Sequence, residues 1–429
     1  MTINRREFCA STGATVAAAE LGLLGAAPNT SGIRSYRVNV PETRLSDMRR
    51  RIRATRWPER ETVDNSSQGV QLATIQSLAQ YWENGYDWRK IEARLNALPQ
   101  YVTEIDGLNI YFIHVRSPHK NALPLVVMHG WPGSVIEQLG IIEPLTNPTA
   151  HGGTADDAFH VVIPSMPGYG FSQKPSAPGW DPARIARAWV TLMKRLGYGS
   201  FLAQGGDWGS VVANVMAEQA PPQLLGIHVN LPGAVPANIA KTLSCGEPAP
   251  ATLTADEKLA FDQLKDFRAK HSGYFAFQAT RPQTLYELAD SPVALAAWML
   301  DHDGTTYEQI AQAFAGQPVG GLTRDAVLDN ITLYWLTNTG VSSARLYWEY
   351  HGKSAAAAVD VNIPAAVTVF PGEIYQAPRT WVEQAYHKLI YYNRVEKGAH
   401  FAAWEQPLLF SQEVRAGFRP LRKAAMGTS

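Results

Sequence analysis

Asp207 stands in the middle of a glycine-rich turn, between a short apolar run and a helix-like segment. The turn at residues 205–210 reads GGDWGS, with FLAQ before it and VVANVMAE after it. A strand, a tight turn and a helix in this order are typical of a nucleophile elbow, whose glycines allow the strained backbone that exposes the central side chain. The simpler interpretation is a glycine-rich turn in which the aspartate only caps the following helix.

An aspartate at this position favours different chemistry from the usual serine, and the sequence contains no Gly-x-Ser-x-Gly motif. A serine that attacked a saturated carbon would leave an ether, which water does not readily cleave. A carboxylate leaves an ester, whose carbonyl water can attack. Asp207 therefore predicts displacement at a saturated carbon, as in an epoxide or an alkyl halide, followed by hydrolysis of the ester.

A histidine and a second carboxylate follow Asp207 in the order that this chemistry needs. His400 lies in the segment EKGAHF just after the last apolar run, and Glu373 follows the run VFPG. The order nucleophile, acid, histidine is that of α/β-hydrolases. We expect His400 to take a proton from water while Glu373 holds the imidazole tautomer and stabilises the imidazolium. Asp360 and Glu383 are rival partners, but neither sits directly at a strand end.

The segment HGWPGS at residues 129–134 directly follows the apolar run 125–128. A loop at this point can aim backbone N–H groups at a developing oxyanion. The expected donors are the amides of Trp131 and of Trp208, the residue after Asp207, because Pro132 has no N–H. Taken alone, the segment is more typical of a plain Gly-Pro turn.

The elements that must position these residues alternate between apolar strands and amphipathic helices. Short apolar runs occur at 125–128, 159–163, 201–203, 225–229, 367–370 and 389–395. In the clearest helix, Asp181 caps, Pro182 takes the first position and Gly197 ends the helix. Continuous apolar strands between helices predict a mostly parallel sheet with helices on both faces, which is an α/β fold. Asp106-Gly107 predicts the turn of a β-hairpin.

The sequence divides into five segments. Residues 1–30 resemble a twin-arginine export signal, with adjacent arginines at 5 and 6 and an alanine-rich stretch, which predicts an exported protein; a cytoplasmic protein with an alanine-rich N-terminus is the alternative. Residues 36–99 are helical in pattern. The α/β core takes residues 100–230 and 360–429, and the largely helical stretch 231–359 between them is expected to form a lid.

Composition excludes several functions. The 38 basic side chains balance the 38 acidic ones, so no overall field favours nucleic acid or an anionic membrane. No apolar run is long enough for a membrane anchor. The two cysteines provide neither a disulfide framework nor a zinc site. The sequence shows neither a His/Glu spacing typical of zinc hydrolases nor a glycine-rich phosphate loop, so we expect no metal or organic cofactor. It leaves open whether the protein is a monomer or a homodimer.

Together these motifs resemble the microsomal-type epoxide hydrolases, which have an α/β-hydrolase fold with an N-terminal meander domain. The resemblance runs from about residue 36 to 420 and includes RWP at 56–58, HGWPGS, GDWG and GAHFAAWEQP at 398–407. It implies that residues 36–99 form the epoxide hydrolase N-terminal domain. It also implies two lid tyrosines that protonate the epoxide oxygen, Tyr274 in SGYF and Tyr347 in SSARLYWE, and it agrees with Glu373 as the acid.

The resemblance implies hydrolysis of a small apolar epoxide by water to a vicinal diol, with no cofactor. A haloalkane dehalogenase is the nearest alternative enzyme, because it uses the same aspartate elbow. Dehalogenases, however, do not need paired lid tyrosines. A non-catalytic protein that binds an apolar ligand is the alternative outside enzymes, and such a protein would be free to lose parts of the site.

Overall fold

The computed structural model describes residues 32–426, with side chains described to residue 422. Within this range the chain forms one sheet of nine strands. The predicted export signal at residues 1–30 lies outside the described residues. The strands are β1 Arg34–Ser35, β2 Gln100–Ile105, β3 Leu108–Val115, β4 Leu123–Met128, β5 Phe159–Pro164, β6 Phe201–Gly205, β7 Leu224–Val229, β8 Val361–Val369 and β9 Tyr386–Arg394.

The strand order is β1-β2-β3-β5-β4-β6-β7-β8-β9. Strands β4 to β9 pair with one another in parallel, and β1, β2 and β3 add an antiparallel edge beside β5. All six apolar runs fall on parallel strands, with the last residue of runs 367–370 and 389–395 just beyond the strand end, and the predicted hairpin joins β2 to β3. The prediction of a mostly parallel α/β sheet is confirmed.

Both faces of the sheet are covered. Successive side chains of a strand point to opposite faces, and residues 125–128 of β4 are all fully buried.

The helices are α1 Glu42–Arg53, α2 Leu72–Asn84, α3 Trp88–Asn96, α4 Ile142–Thr146, α5 Pro182–Arg195, α6 Trp208–Gln219, α7 Ala237–Ser244, α8 Ala255–Lys270, α9 Gly273–Thr280, α10 Glu287–Asp290, α11 Pro292–Leu300, α12 Gly304–Phe314, α13 Arg324–Thr337, α14 Gly340–Glu349, α15 Arg379–Ala385, α16 Ala402–Glu405 and α17 Pro407–Met426.

Helix α5 forms as its sequence predicts. The Asp181 carboxylate accepts a hydrogen bond from the Arg184 N–H at 2.8 Å, and Pro182 takes the first helical position. Ile185 and Trp189 are buried on the inner face. Capping and apolar spacing are both local features, so the sequence alone determines this helix.

Helices α7 to α14 all lie between β7 and β8, and we call them the lid helices. The N-terminal helices are hydrogen-bonded to one of them, α13. Trp82 Nε1 donates to Thr332 Oγ1 at 2.9 Å, Tyr86 OH donates to Asp329 at 2.8 Å, and Tyr81 OH donates to Asp325 at 2.6 Å. The ring of Trp82 is fully buried, so the hydrogen bond that its N–H donates is shielded from water.

No helix among residues 32–426 combines the length and the apolar character that crossing a bilayer requires.

Candidate active site

Asp207 lies on a strained turn between β6 and α6. Its φ of 46° and ψ of −124° are unusual for a residue with a side chain; such conformations cost of order 1–3 kcal/mol and persist only where the surroundings enforce them. The neighbouring glycines are required by close backbone contacts. A Cβ on Gly205 would lie 2.1 Å from the Gly209 carbonyl, and one on Gly209 would lie 2.2 Å from the Met128 oxygen. The turn has the geometry of a nucleophile elbow.

The structure brings Asp207, His400 and Glu373 together. His400 Nε2 lies 3.4 Å from Asp207 Oδ2, and His400 Nδ1 is hydrogen-bonded to Glu373 Oε1. The side chains of His400 and Glu373 are fully buried, whereas that of Asp207 keeps 13% of its surface exposed. The nucleophile candidate can therefore be reached by a small molecule, while its partners are protected from solvent.

The rival acids lie elsewhere. Asp360 pairs with His387 at 2.7 Å, and Glu383 pairs with Arg379 at 2.7 Å. Both pairs are at the surface. Geometry therefore selects Glu373 as the partner of His400.

The charges of this group stabilise one another. Burial raises the pKa of Asp207, but contact with His400 and its positive charge outweigh burial and hold that pKa below its usual value. Burial lowers the pKa of His400, but the negative charges of Glu373 and Asp207 outweigh it and hold that pKa well above its usual range. In the resting site, a carboxylate therefore faces an imidazolium.

The loop after β4 covers the other oxygen of Asp207. The Trp131 N–H donates to Asp207 Oδ1 at 2.7 Å, as expected for one oxyanion donor. Gly130 permits this approach, since a Cβ there would lie 2.2 Å from the same oxygen. Trp208, the second expected donor, follows Asp207 directly as the first residue of α6.

The two predicted lid tyrosines lie against each other. Tyr274 on α9 and Tyr347 on α14 are buried, with ring centroids 5.9 Å apart. Tyr274 stacks on Trp131 at 4.9 Å, and Tyr347 packs edge-on against Trp208 at 4.7 Å. Burial raises the pKa of both phenols well above the usual range, and the negative charge of Asp207 adds to the effect. Both hydroxyls therefore keep their protons.

Asp207 and the two tyrosines line one cavity of about 480 Å³. A cavity of this size fits a small organic ligand. Its other walls are mostly apolar side chains, among them Leu231, Val235, Leu243, Leu264, Phe267, Phe275 and Ile374. The exposed residues Arg268 and Lys353 form part of its outer rim.

The other tyrosines close in sequence have different partners. Tyr334 OH donates to the Gly133 carbonyl at 2.7 Å, and Tyr375 OH is hydrogen-bonded to the Pro232 carbonyl. Tyr350 packs on Trp208, with ring centroids 5.4 Å apart. These three residues are absent from the walls of the large cavity.

Sequence reasoning missed several residues around the site. On α13, Asn330 donates to the Pro132 carbonyl at 2.6 Å and, with Tyr334, holds the loop after β4. His302 packs on the His400 ring, with ring centroids 4.6 Å apart. Its Nδ1 is hydrogen-bonded to the Asp303 carboxylate at 2.9 Å. Asp207, His302 and His400 present donor atoms within 4.8 Å of one another, a spacing that a metal ion could approach, although Asp207 and His400 already pair with each other.

A buried acid, Glu137, was also missed. Burial, and then the negative charge of Asp207, raises the pKa of Glu137 to about 8. Only its position shortly after the HGWPGS segment could have drawn attention to it.

This fold and site define the class: an α/β-hydrolase with an aspartate at the nucleophile elbow. Two family models match the chain, the epoxide hydrolase N terminus over residues 33–138 and the alpha/beta hydrolase fold over residues 124–271. A Stigmatella aurantiaca protein provisionally named an epoxide hydrolase is 51% identical over 91% of this chain and 86% of its own. Epoxide hydrolase 1 of Sus scrofa is 36% identical over 91% of this chain and 89% of its own.

The crystal structure of juvenile hormone epoxide hydrolase from Bombyx mori superimposes with a TM-score of 0.82 at 29% identity, covering 92% of this chain and 96% of that one. The chain belongs to the epoxide hydrolase family that carries this N-terminal domain.

Proposed function

We propose that this protein hydrolyses small apolar epoxides to vicinal diols through a covalent ester on Asp207. The observation that carries the proposal is the cavity itself. Its walls include the reachable carboxylate of Asp207, which pairs with a buried histidine, and two buried phenols among mostly apolar side chains. The name and likeness of the relatives support the same substrate class.

In the first step, Asp207 attacks a ring carbon of the epoxide. The Trp131 amide holds Oδ1, which favours Oδ2 as the attacking atom and Oδ1 as the carbonyl oxygen of the ester. As the carbon–oxygen bond of the ring breaks, the oxygen takes a proton from Tyr274 or Tyr347. Two donors in an apolar cavity stabilise this developing alkoxide far better than water would.

In the second step, water cleaves the ester. Ester formation neutralises Asp207 and so removes one of the two negative charges that stabilise the His400 cation. His400 can then lose its proton, which restores the phenol that gave one up, and accept a proton from water. The water oxygen adds to the Asp207 carbonyl carbon, and the Trp131 N–H stabilises the charge on Oδ1. On collapse, the bond from the Asp207 carbon to the diol oxygen breaks, and that oxygen takes the proton held by His400 and leaves as the diol. The new carboxyl group gives its remaining proton to His400, which restores the carboxylate and the imidazolium.

A single turnover in ¹⁸O-water tests the proposal. With the enzyme in excess over styrene oxide, we expect an unlabelled diol and one ¹⁸O atom in the peptide that contains Asp207, measured by mass spectrometry. Label in the diol and none in Asp207 would show direct attack by water and contradict the proposal. Enzyme kept in ¹⁸O-water without epoxide is the control. A parallel assay with a bromoalkane tests the dehalogenase alternative, which predicts halide release.

The two tyrosines give a second test. Tyr274→Phe and Tyr347→Phe should each lower kcat for styrene oxide by about 10-fold, and the double variant by about 10³-fold, because general acid catalysis contributes about 10²–10⁴. Tyr350→Phe is the matched control, since this ring packs on Trp208 but does not line the cavity. A parental rate in the double variant would remove both hydroxyls from the mechanism.

A further inference from the structure

A second, much smaller cavity also borders Asp207. Its volume is about 20 Å³, and its walls include Glu137, Gln204, Asn230 and His400. Among the lining residues of the two cavities, Asp207 is the one they share. His400 lines the small cavity and is absent from the walls of the large one, so the proposed base faces a compartment separate from the substrate.

The small cavity has the size and the polarity of a site for one water molecule. A single water needs at least about 10–15 Å³ of such space and two to four polar partners. Three nearly fully buried side-chain oxygens of its lining residues have no hydrogen-bond partner within the described structure: Glu137 Oε2, Gln138 Oε1 and Gln204 Oε1. Leaving buried polar atoms unpaired is unfavourable. These atoms therefore favour an occupant that can donate hydrogen bonds.

We propose that this cavity holds the water that hydrolyses the Asp207 ester, and that Glu137 orients it together with His400. The inference rests on the proposed ester mechanism and extends it. Substrate and water would reach the same carboxyl group from two compartments, the epoxide through the large cavity and the water from the small one.

The polar side chains around the small cavity match what ester hydrolysis requires of the attacking water. A water that attacks the ester must direct a lone pair at the Asp207 carbonyl carbon and give its two O–H groups to acceptors. His400 Nε2 takes the proton that is transferred, and a carboxyl oxygen of Glu137 accepts the second hydrogen bond. The new bond joins the water oxygen to the carbon of Asp207, and no proton passes to Glu137. Since burial raises the pKa of Glu137 to about 8, a neutral acid fills this position at neutral pH.

Contacts around Glu137 fix its orientation. Its Oε1 accepts a hydrogen bond from Gln138 Nε2 at 3.0 Å, while Oε2 stays free. Gly133 leaves room for the carboxyl group, because a Cβ there would lie 1.8 Å from Oε2. Glu137 touches the water and not the epoxide, so its loss should affect only one of the two chemical steps.

The test measures those steps separately by rapid mixing with styrene oxide and mass spectrometry of the protein. In Glu137→Leu we expect ester formation within about twofold of the parental rate. Ester hydrolysis should slow by about 10²-fold, because the attacking water is no longer held in position. Glu137→Gln, which keeps a neutral carbonyl acceptor, should retain hydrolysis within about fivefold. Gln204→Met removes another acceptor and is a second variant should the leucine variant fail to fold.

The matched control is Glu413→Gln. Glu413 is also buried, but its carboxylate accepts hydrogen bonds from Thr368, Tyr391 and Asn393, and it lines neither cavity. We expect both of its rates to equal the parental ones. Ester hydrolysis at the parental rate in both Glu137→Leu and Gln204→Met would overturn the inference, as would equal slowing of both steps, which indicates a purely structural role.

The rapid-mixing experiment distinguishes failure of the proposed ester mechanism from failure of the proposed water site. If the parent enzyme forms no ester, the proposed function itself is wrong. If the parent forms the ester and the variants hydrolyse it normally, only the water site is wrong. A crystal structure of the parent at high resolution should show one ordered water within hydrogen-bond distance of Glu137 and His400, and an empty cavity there would also contradict the inference.

Discussion

An Asp207→Asn enzyme should turn over styrene oxide at least about 10⁴-fold more slowly than the parent, because an amide is a far weaker nucleophile than a carboxylate and loss of a covalent nucleophile is among the costliest single changes in catalysis. Asparagine has the same shape as aspartate and is among the residues that best tolerate a positive φ. The measurement is kcat/KM with freshly purified protein. The thermal unfolding midpoint should stay close to the parental value.

A variant that folded normally and retained more than a tenth of parental activity would contradict the assignment of Asp207. Such a result would indicate direct attack by water on the epoxide. The ¹⁸O experiment on the parent distinguishes that mechanism independently, so the two measurements check each other.

The second large effect is expected from His400→Gln. Ester formation does not require a base, so this variant should react once with styrene oxide and then stop, with ester hydrolysis slowed by at least about 10³-fold. The intact protein should gain the mass of one epoxide, located on the peptide that contains Asp207. The variant also removes the positive charge that lowers the pKa of Asp207, so attack should be slower than in the parent. The Trp131 N–H still stabilises the carboxylate, so single-turnover mixing should measure the attack.

His387→Gln is the control for this experiment. It removes another histidine that is paired with a carboxylate, 2.7 Å from Asp360, but on the surface. It should hydrolyse its ester like the parent and accumulate no adduct. Sustained turnover by His400→Gln without an adduct would show that another group activates the water.

Much of the proposed triad could be predicted because it depends on local signals. A tight turn, a strand end and chain order locate Asp207, Glu373 and His400, and parallel strands bring their carboxyl ends to one edge of the sheet. The lid tyrosines came from family resemblance, since nothing in the local sequence separates Tyr274 and Tyr347 from Tyr334 or other aromatic residues.

The residues that surround and hold the proposed triad could not be predicted, because their positions depend on packing between segments far apart in the sequence. Helix α13 is buried on most sides, so its sequence shows no apolar stripe that would indicate which face meets the loop after β4. Asn330 is 198 residues from its partner Pro132. Glu137 looks like an ordinary surface acid in the sequence. Its burial is determined only when the loop after β4 closes over Asp207.

The hydrogen bonds between the N-terminal helices and α13 have a consequence for how substrates enter. Arg51 adds a bond to the Asp290 carbonyl at 2.8 Å, and the Gln71 N–H donates to Tyr307 OH at 2.9 Å, so α10 and α12 are tethered as well. These bonds hold α10, α12 and α13, and none of these three helices lines the large cavity. The rim residues Arg268, on α8, and Lys353 belong to segments outside this tethered set, so we expect epoxides to enter between parts of the chain that the N-terminal helices do not hold.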